Sequence, residues 1–256
     1  MSLGRKSKIA GAFERAQAYD AHAMIQRVAA DRLAARIAAL DFDETAPALE
    51  IGCGTGFLTE ALLAARPALR LTASDVAPAM LDRTRARVGD RAGIDYAVLD
   101  GEHPGPSPTG GWGLIASSLA AQWFEEPASS IARLAGLIAP RGCLAFTTLV
   151  SGSFAEWTAA LEAAGLADVT RRYPEPENLV RQCNPDFHSD IAVYTLTERH
   201  ENGMAFLRAL RAIGAATSWD RTARPAALRR AIEHFEEEGA SVRYEIAEIV
   251  IRRKHG

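Results

Sequence analysis

A glycine-rich turn marks the part of the sequence whose residue types and spacing could do chemistry. Residues 48–57 read ALEIGCGTGF, so Glu50 closes an apolar run and Gly52, Gly54 and Gly56 follow at alternate positions. Glycines at such a turn let the backbone approach a ligand closely, and the helix that follows offers unpaired N–H groups. The turn therefore predicts a nucleotide-like ligand beyond the end of a strand.

The spacing of the glycines argues against two common nucleotide sites. A dinucleotide fold favours G-x-G-x-x-G, which needs its third glycine at position 57, where this chain has Phe57. A Walker A phosphate loop ends in GK[ST], and no such sequence follows the turn. Assignment as a nucleotide-dependent oxidoreductase is therefore supported by the glycine-rich turn alone. It stays open as an alternative from another class, as does a non-catalytic cofactor-binding protein.

Acidic residues follow three successive predicted strands, at Glu50, Asp75 and Asp100. Asp75 lies about twenty residues beyond the turn, where an acid accepts hydrogen bonds from ribose hydroxyls. One acid alone would be an ordinary helix cap or turn residue. Three carboxylates together repel a pyrophosphate but attract a positively charged adenosine such as S-adenosylmethionine, which carries a sulfonium and an ammonium group. The common register of the three acids favours that cofactor.

The sequence blocks around these acids carry a family resemblance. LEIGCGTGFLTEAL, LTASDVAPAML and YAVLDGEHP resemble the signature blocks of class I S-adenosylmethionine-dependent methyltransferases, over about residues 48 to 150. The resemblance implies that Asp75 holds the ribose, that Met80 packs on the adenine, and that Asp100 with Gly101 flanks the amino edge of the base. Core packing is the alternative role for Met80. The cofactor-binding residues predicted in this way are Tyr19, His22, Gln26, Glu50, Gly52, Cys53, Gly54, Gly56, Asp75, Val76, Met80, Asp100, Gly101 and Ser117.

Blocks outside the glycine turn narrow the resemblance. FERAQAYDAHAMIQRVAADRLA, SSLAAQWFEEP, AFTTLVSGSFAEW and LRALRAIGA together resemble the malonyl-acyl-carrier-protein O-methyltransferases of biotin synthesis, from about residue 11 to the end of the chain. The block after the fourth strand has Ser118 where family members often have Asn. The resemblance implies an acyl-carrier protein as partner. A methyltransferase acting on a small free acid, such as trans-aconitate, or on a natural product is the alternative.

Methyl transfer to a carboxylate sets modest demands on an enzyme. The acceptor is already ionised at neutral pH, because its pKa lies near 4, so no general base and no metal is expected. The enzyme must desolvate and align the partners, and arginine is the best donor to a carboxylate. The predicted catalytic residues are Tyr19 and Gln122, and the predicted substrate-binding residues are Trp123, Thr148, Arg208 and Arg211. Core packing for the aromatic residues, and a solvated basic face for the arginines, are the alternatives.

An alternation of strands and helices must position these residues. Strands are predicted at 48–51, 70–74, 95–99, 112–117 and 143–149, and helices at 13–40, 57–65, 78–88, 127–138 and 154–164. This order predicts an α/β fold with a doubly wound, mostly parallel, seven-stranded sheet. Late strands at 191–198 and 242–252 add an antiparallel edge, with helices at 203–212 and 225–238 between them.

The same pattern predicts four segments in the chain. These are an amino-terminal helical cap at 1–47, a cofactor-binding core at 48–200, a helical insertion over the active site at 201–240, and the last strand of the core at 241–256.

The composition restricts which binding partners and which cellular compartment are expected. The 256 residues carry a formal net charge of -3 without a long basic run, which argues against nucleic acid. The three cysteines are far apart, which fits a reducing cytoplasm and argues against disulfides or a zinc site. No apolar run could cross a bilayer, and no signal-peptide pattern is present. A cytoplasmic monomer that binds no membrane is therefore expected.

Overall fold

The structure of the chain is a computed structural model that describes residues 23–166, 172–212 and 225–254. Its strands are β1 Ala48–Ile51, β2 Leu71–Asp75, β3 Ile94–Val98, β4 Trp112–Ser118, β5 Ile138–Leu149, β6 Phe187–Arg199 and β7 Ser241–Arg253. Its helices in these ranges are α1 Met24–Ala38, α2 Phe57–Ala65, α3 Pro78–Val88, α4 Pro127–Gly136, α5 Ala155–Ala163, α6 Pro176–Val180, α7 Gly203–Ala212 and α8 Pro225–Glu237.

The described strands form one seven-stranded sheet in the order β3-β2-β1-β4-β5-β7-β6. The pairs β1–β2, β1–β4, β2–β3 and β4–β5 are parallel. Backbone hydrogen bonds from Lys254 to Asp186 and from His200 to Ala240 join opposite ends of β6 and β7, as an antiparallel pair requires. The predicted fold class, a mostly parallel seven-stranded α/β sheet with an antiparallel edge, is confirmed.

The central strand shows why this sequence forms a buried parallel sheet. All four residues of β1 are buried, and Ala48, Leu49 and Ile51 are at most 2% exposed. Parallel strands covered on both faces read as continuous apolar runs rather than alternating ones. Glu50 is the acid within this run, at 1% exposure, and it is therefore the residue of β1 that folding alone does not explain.

The start of β5 differs from the prediction. The strand predicted at 143–149 begins at Ile138, because Pro140, Arg141 and Gly142, which read as a turn, lie inside β5. Trp112 pairs with Ile138 and Leu114 pairs with Cys143, so the register shifts and β5 holds extra residues opposite β4. A bulge of this kind accommodates proline and glycine without ending the strand.

Two helical predictions also need correction. In the helix predicted at 13–40, the apolar periodicity favours burial of Met24, but Met24 is 55% exposed, whereas Leu33 and Ile37 are fully buried. The short helix α6 was not predicted. The other described elements lie within a few residues of their predicted bounds. Within the described residues, no helix combines the length and apolar character that a bilayer span requires.

Packing divides the chain into two compact units. The first comprises the described residues of Gln26–Thr148, Glu175–Val193 and Ala247–Gly256, and the second those of Met1–Ile25, Leu149–Pro174 and Tyr194–Ile246. The core of the second unit is aromatic: the Trp157 ring lies 5.4 Å from both Phe206 and Phe235, centroid to centroid. This division follows packing, whereas the predicted segments follow the order of the chain.

Candidate active site

The glycine turn between β1 and α2 has the backbone that its sequence predicts. Gly52, Gly54 and Gly56 have φ values of +69°, +57° and +89°, which side chains other than glycine rarely adopt. A Cβ on Gly52 would lie 2.5 Å from the Cβ of Ala120, and one on Gly56 would lie 3.1 Å from the Cα of Thr84. A Cβ on Gly54 would meet nothing within 4 Å. Close packing therefore requires glycine at positions 52 and 56. Gly54 faces open space that a ligand could occupy.

The amino end of α2 leaves polar groups available beside this turn. Gly56 is the N-cap residue and has no side chain to cap the helix, and in the first turn the N–H of Thr59 donates to the Glu50 carboxylate. The N–H groups that precede Thr59 suit an incoming acceptor. The buried Oγ1 of Thr55 and the buried Oε1 of Gln26 have no hydrogen-bond partner among the described residues. Unpaired buried polar atoms are costly, so the Thr55 hydroxyl favours a polar ligand at this turn, and the Gln26 amide on α1 favours a polar partner of its own.

Asp75 fastens the glycine turn to the end of β2. Its Oδ2 accepts the N–H of Gly54 at 3.0 Å, and its Oδ1 accepts the N–H of Ala77 at 2.9 Å. Burial raises the pKa of Asp75, although the hydrogen bonds from Ala77 and Gly54 oppose that rise. Each carboxylate oxygen keeps lone pairs for further donors. The arrangement therefore fits the ribose-binding role predicted for Asp75.

Glu50 is a buried acid with a neutral partner. The Oγ1 of Thr59 donates to Glu50 Oε2 at 2.6 Å. Burial raises the pKa of Glu50 to about 7, with the hydrogen bond from Thr59 opposing and repulsion from Asp75 adding to the rise. An acid perturbed by burial and by a second acid is a mark of functional sites. A cation bound nearby would relieve both effects.

Four predicted cofactor-binding residues around the turn differ in their exposure and in their hydrogen bonds. Cys53 is buried, accepts a hydrogen bond from Thr84 at 3.3 Å, and has its pKa raised by burial. Ser117 donates to the carbonyl of Ile51 at 2.9 Å and so ties β4 to β1. Val76 is 38% exposed, whereas Met80 is only 1% exposed. Val76 therefore offers apolar surface to a ligand, and the burial of Met80 favours its alternative role in the core.

Asp100 and Gly101 lie two and three residues beyond the end of β3. Asp100 Oδ1 accepts the N–H of Glu102 at 3.1 Å, and the side chain of Asp100 remains 37% exposed. A Cβ on Gly101 would lie 2.3 Å from Cγ2 of Ile51. Gly101 is thus required by close packing, and it holds Asp100 at the carboxyl end of the sheet with part of its carboxylate open.

The segment after β4 carries Gln122 and Trp123 in a short 3-10 turn. Gln122 Nε2 donates to the carbonyl of Leu119 at 2.6 Å, and Thr148 Oγ1 donates to Gln122 Oε1 at 3.2 Å. Leu119 has a φ of +49°, a strained value for leucine that recurs at functional loops. The amide of Gln122 therefore holds the segment to the end of β5, while the catalytic role predicted for Gln122 remains a prediction.

Four of the predicted site residues lie outside the described residues of the first unit. Arg208 and Arg211 lie on α7 in the second unit, exposed, with Phe206, Ala209 and Leu210 buried on the other face of the helix. Tyr19 and His22 lie outside the described residues. Their roles remain predictions.

Sequence reasoning missed two features of the site. Phe57 lies between the guanidinium groups of Arg27 and Arg87, each 4.3 Å from the ring centroid, and Glu60 pairs with both arginines. Glu102 is 3% exposed although it lies in a Gly/Pro-rich stretch that reads as a solvated loop. No local signal announces either feature, because the partners are distant in sequence.

Comparisons with known proteins agree with this geometry. A family model described as a methyltransferase domain matches residues 49–144. The bifunctional biotin biosynthesis protein BioCD of Bordetella avium is 39% identical over 91% of this chain, which spans 49% of that protein. A malonyl-acyl-carrier-protein O-methyltransferase of Magnetococcus marinus is 33% identical over 82% of this chain and 78% of its own length. A crystal structure of a proposed methyltransferase from Bacillus halodurans has a TM-score of 0.60 at 14% identity, covers 88% of this chain and 99% of its own, and supports the fold alone.

Proposed function

Because the chain belongs to the malonyl-acyl-carrier-protein O-methyltransferase family of S-adenosylmethionine-dependent methyltransferases, we propose that it esterifies the free carboxylate of a malonyl group on an acyl-carrier protein. The names of its relatives support this acceptor, and one of them belongs to biotin biosynthesis. The chain spans about half the length of that bifunctional relative, so the proposal concerns methyl transfer only.

The single observation that carries the proposal is the buried acid Glu50 next to Asp75. S-adenosylmethionine, when bound, supplies an electrophilic methyl group on a positively charged sulfur. A carboxylate at 1% exposure whose pKa is raised to about 7 is stabilised in its ionised form by a nearby cation. The open backbone at Gly54 and the lone pairs of Asp75 fit the sugar and amino-acid parts of the same molecule.

The chain need not remove a proton from the acceptor. A malonyl carboxylate is ionised at neutral pH, so the protein has to orient it and exclude water. In the proposal, the segment fixed by Gln122 and Thr148 forms the acceptor side, with Trp123 as an aromatic wall. Tyr19 acts as a lid, and Arg208 and Arg211 hold the malonyl carboxylate and the phosphopantetheine arm.

The remaining parts of the proposal concern the setting of the reaction. His22 and Gln26 complete the cofactor contacts, and the unpaired Oε1 of Gln26 supports its part. The enzyme acts as a cytoplasmic monomer and uses no metal. Because the chain has a formal net charge of -3, an acidic carrier protein needs local positive charge to bind it. Arginines such as Arg208 would supply that charge.

The direct test is methyl transfer from labelled cofactor to a panel of acceptors. The panel holds malonyl-acyl-carrier protein, malonyl-coenzyme A and free dicarboxylic acids including trans-aconitate. We expect the carrier-bound malonyl group to be labelled at the highest kcat/KM. Labelling of a free acid without labelling of any malonyl thioester would overturn the proposal. Growth of a biotin-requiring strain that lacks this methylation step checks the same conclusion in cells.

The arginines provide a second test of the acceptor. Replacing Arg208 and Arg211 together by Ala is expected to lower activity strongly with the malonyl thioester and to leave activity on a small free acid unchanged. Arg91→Ala is the matched control, because Arg91 is exposed in the first unit. Equal loss with both kinds of acceptor would contradict the proposed role of these two arginines.

A further inference from the structure

The carboxylate of Glu102 connects the segment after β3 to the segment after β4. We propose that Glu102 is a positioning residue for methyl transfer, which holds the turn carrying Gln122 and Trp123 in place through the amino end of α4. The proposal rests on the methyltransferase activity and is independent of which carboxylate accepts the methyl group.

Glu102 is almost fully committed to one task. At 3% exposure, its Oε1 accepts the N–H of Glu125, the N–H of Glu126 and the hydroxyl of Ser130, each at 3.0 Å. Pro127 begins α4 and has no N–H to donate. The two backbone donors are therefore the last ones before the helix, where a negative charge is also favoured by the helix dipole.

The backbone of Glu102 makes further hydrogen bonds. Arg133, on the next turns of α4, donates to the carbonyl of Glu102. On the other side, the N–H of Glu102 donates to Oδ1 of Asp100 at 3.1 Å. A Cβ on Gly101 would lie 3.3 Å from the Phe124 ring, so the two segments also touch. Movement of the segment after β4 is thereby coupled to Asp100 and Gly101.

The start of the segment is anchored separately, on β5. The N–H of Leu119 donates to the carbonyl of Thr147 at 3.0 Å, and Gln122 donates to the carbonyl of Leu119. Glu102 holds the other end, at Glu125 and Glu126. If the Glu102 end is released, the turn between the two anchors loses its hydrogen bonds to Glu102 and keeps those to β5. The side chains of Gln122 and Trp123 would then lose their fixed orientation.

The geometry separates turnover from cofactor affinity. The glycine turn is fastened by Asp75, whose donors are the N–H groups of Gly54 and Ala77. Asp100 is held by the backbone N–H of Glu102, which remains when the Glu102 side chain is replaced. Releasing Glu102 should therefore impair alignment for transfer more than it impairs cofactor binding. A residue that only stabilised the fold would lower the melting temperature and leave the kcat of the folded protein unchanged.

The test uses Glu102→Ala and Glu102→Gln in the full chain, with the acceptor that the panel labels best. We expect kcat to fall about tenfold or more in Glu102→Ala and less in Glu102→Gln, which keeps an acceptor oxygen. Calorimetric affinity for S-adenosylhomocysteine should stay within about threefold of the unaltered chain. Glu126→Gln is the control. It replaces a carboxylate by an amide in the same segment, but at an exposed side chain.

A double variant gives a readout that stability alone does not move. If Glu102 acts through the turn, combining Glu102→Gln with Gln122→Ala should lower kcat no further than the worse single variant, because both changes release the same segment. Glu102→Gln also remains informative if Glu102→Ala does not fold. An unchanged kcat in both folded variants, additive losses in the double variant, or a parallel loss of cofactor affinity would overturn the proposal.

Discussion

Gly52→Ala should destabilise the protein in two separable ways. The φ of Gly52 is +69°, so an alanine there is strained by about 1 to 2 kcal/mol. Its Cβ would also lie 2.5 Å from the Cβ of Ala120, against a favourable carbon–carbon distance of about 3.5 to 4.0 Å. Relieving such an overlap by shifting the backbone costs about 1 to 3 kcal/mol. The sum is a loss of roughly 2 to 5 kcal/mol in the free energy of unfolding.

Gly54→Ala is the matched control within the same turn. Its φ of +57° imposes a similar backbone strain, but its Cβ would meet nothing within 4 Å. The expected loss of stability is therefore only the strain, about 1 to 2 kcal/mol. Urea unfolding followed by tryptophan fluorescence measures both variants, and comparison requires that the dependence on urea concentration is the same for each.

The variant Ala120→Gly isolates the loss of stability that comes from the overlap between the Cβ atoms at positions 52 and 120. This change removes the atom that the new Cβ would strike, so it should restore about 1 to 3 kcal/mol in the Gly52→Ala background. The strain at position 52 should remain. The reasoning is refuted if Ala120→Gly restores less than about 0.5 kcal/mol, or if Gly54→Ala proves as destabilising as Gly52→Ala.

Further predictions concern a buried acid, a cap and a strained residue. The pKa of Glu50 rises from 4.5 to about 7 on folding, so the folded state holds the proton more tightly and stability falls as pH rises through this window. Glu50→Gln should be more stable than the unaltered chain by about 3 kcal/mol at pH 8 in urea unfolding, and the difference should vanish below about pH 4. Glu50→Gln should also bind S-adenosylmethionine more weakly. Arg66 donates to the carbonyls of Ala38 and Leu40 after α1, so Arg66→Ala should lower stability by about 1 to 3 kcal/mol, visible as a lower melting temperature; an unchanged Tm would contradict this. Leu119→Gly removes left-handed strain at φ +49° and should raise stability by up to about 1 kcal/mol while lowering kcat; unchanged kcat would contradict the role of the strain.

The elements that local sequence could predict are those whose signal lies within a few residues. The glycine turn and the acid Asp75 were predictable because the backbone requirement of each glycine and the acid at a strand end are local facts. The bulge in β5 was not, since Pro140-Arg141-Gly142 reads as a turn unless the pairing with β4 is known. Register between strands decides that case, and register is a long-range property.

The site shows the same division. That Glu50 lies at the end of a buried strand follows from the apolar run around it, and its raised pKa then follows from burial. The burial of Glu102 does not follow from its neighbours, because its three donors come from residues 125, 126 and 130. The same holds for Phe57, whose two guanidinium partners are distant in the chain. Local sequence therefore predicts the candidate cofactor residues more readily than the residues that hold their segments in place.

The pair Glu50 and Asp75 connects the stability of the protein to its cofactor. Each acid is costly when buried, and repulsion from Asp75 raises the pKa of Glu50 further. Backbone hydrogen bonds from Gly54 and Ala77 offset part of this cost for Asp75. Hydrogen bonds from the hydroxyl and the N–H of Thr59 offset part of it for Glu50, whose pKa still rises to about 7. In the proposed function, a cation that binds beside Glu50 would stabilise the buried carboxylates, whereas an anionic dinucleotide would add to their repulsion. Because folding alone would favour a neutral residue at position 50, we propose that this acid serves the positive charge of the methyl donor.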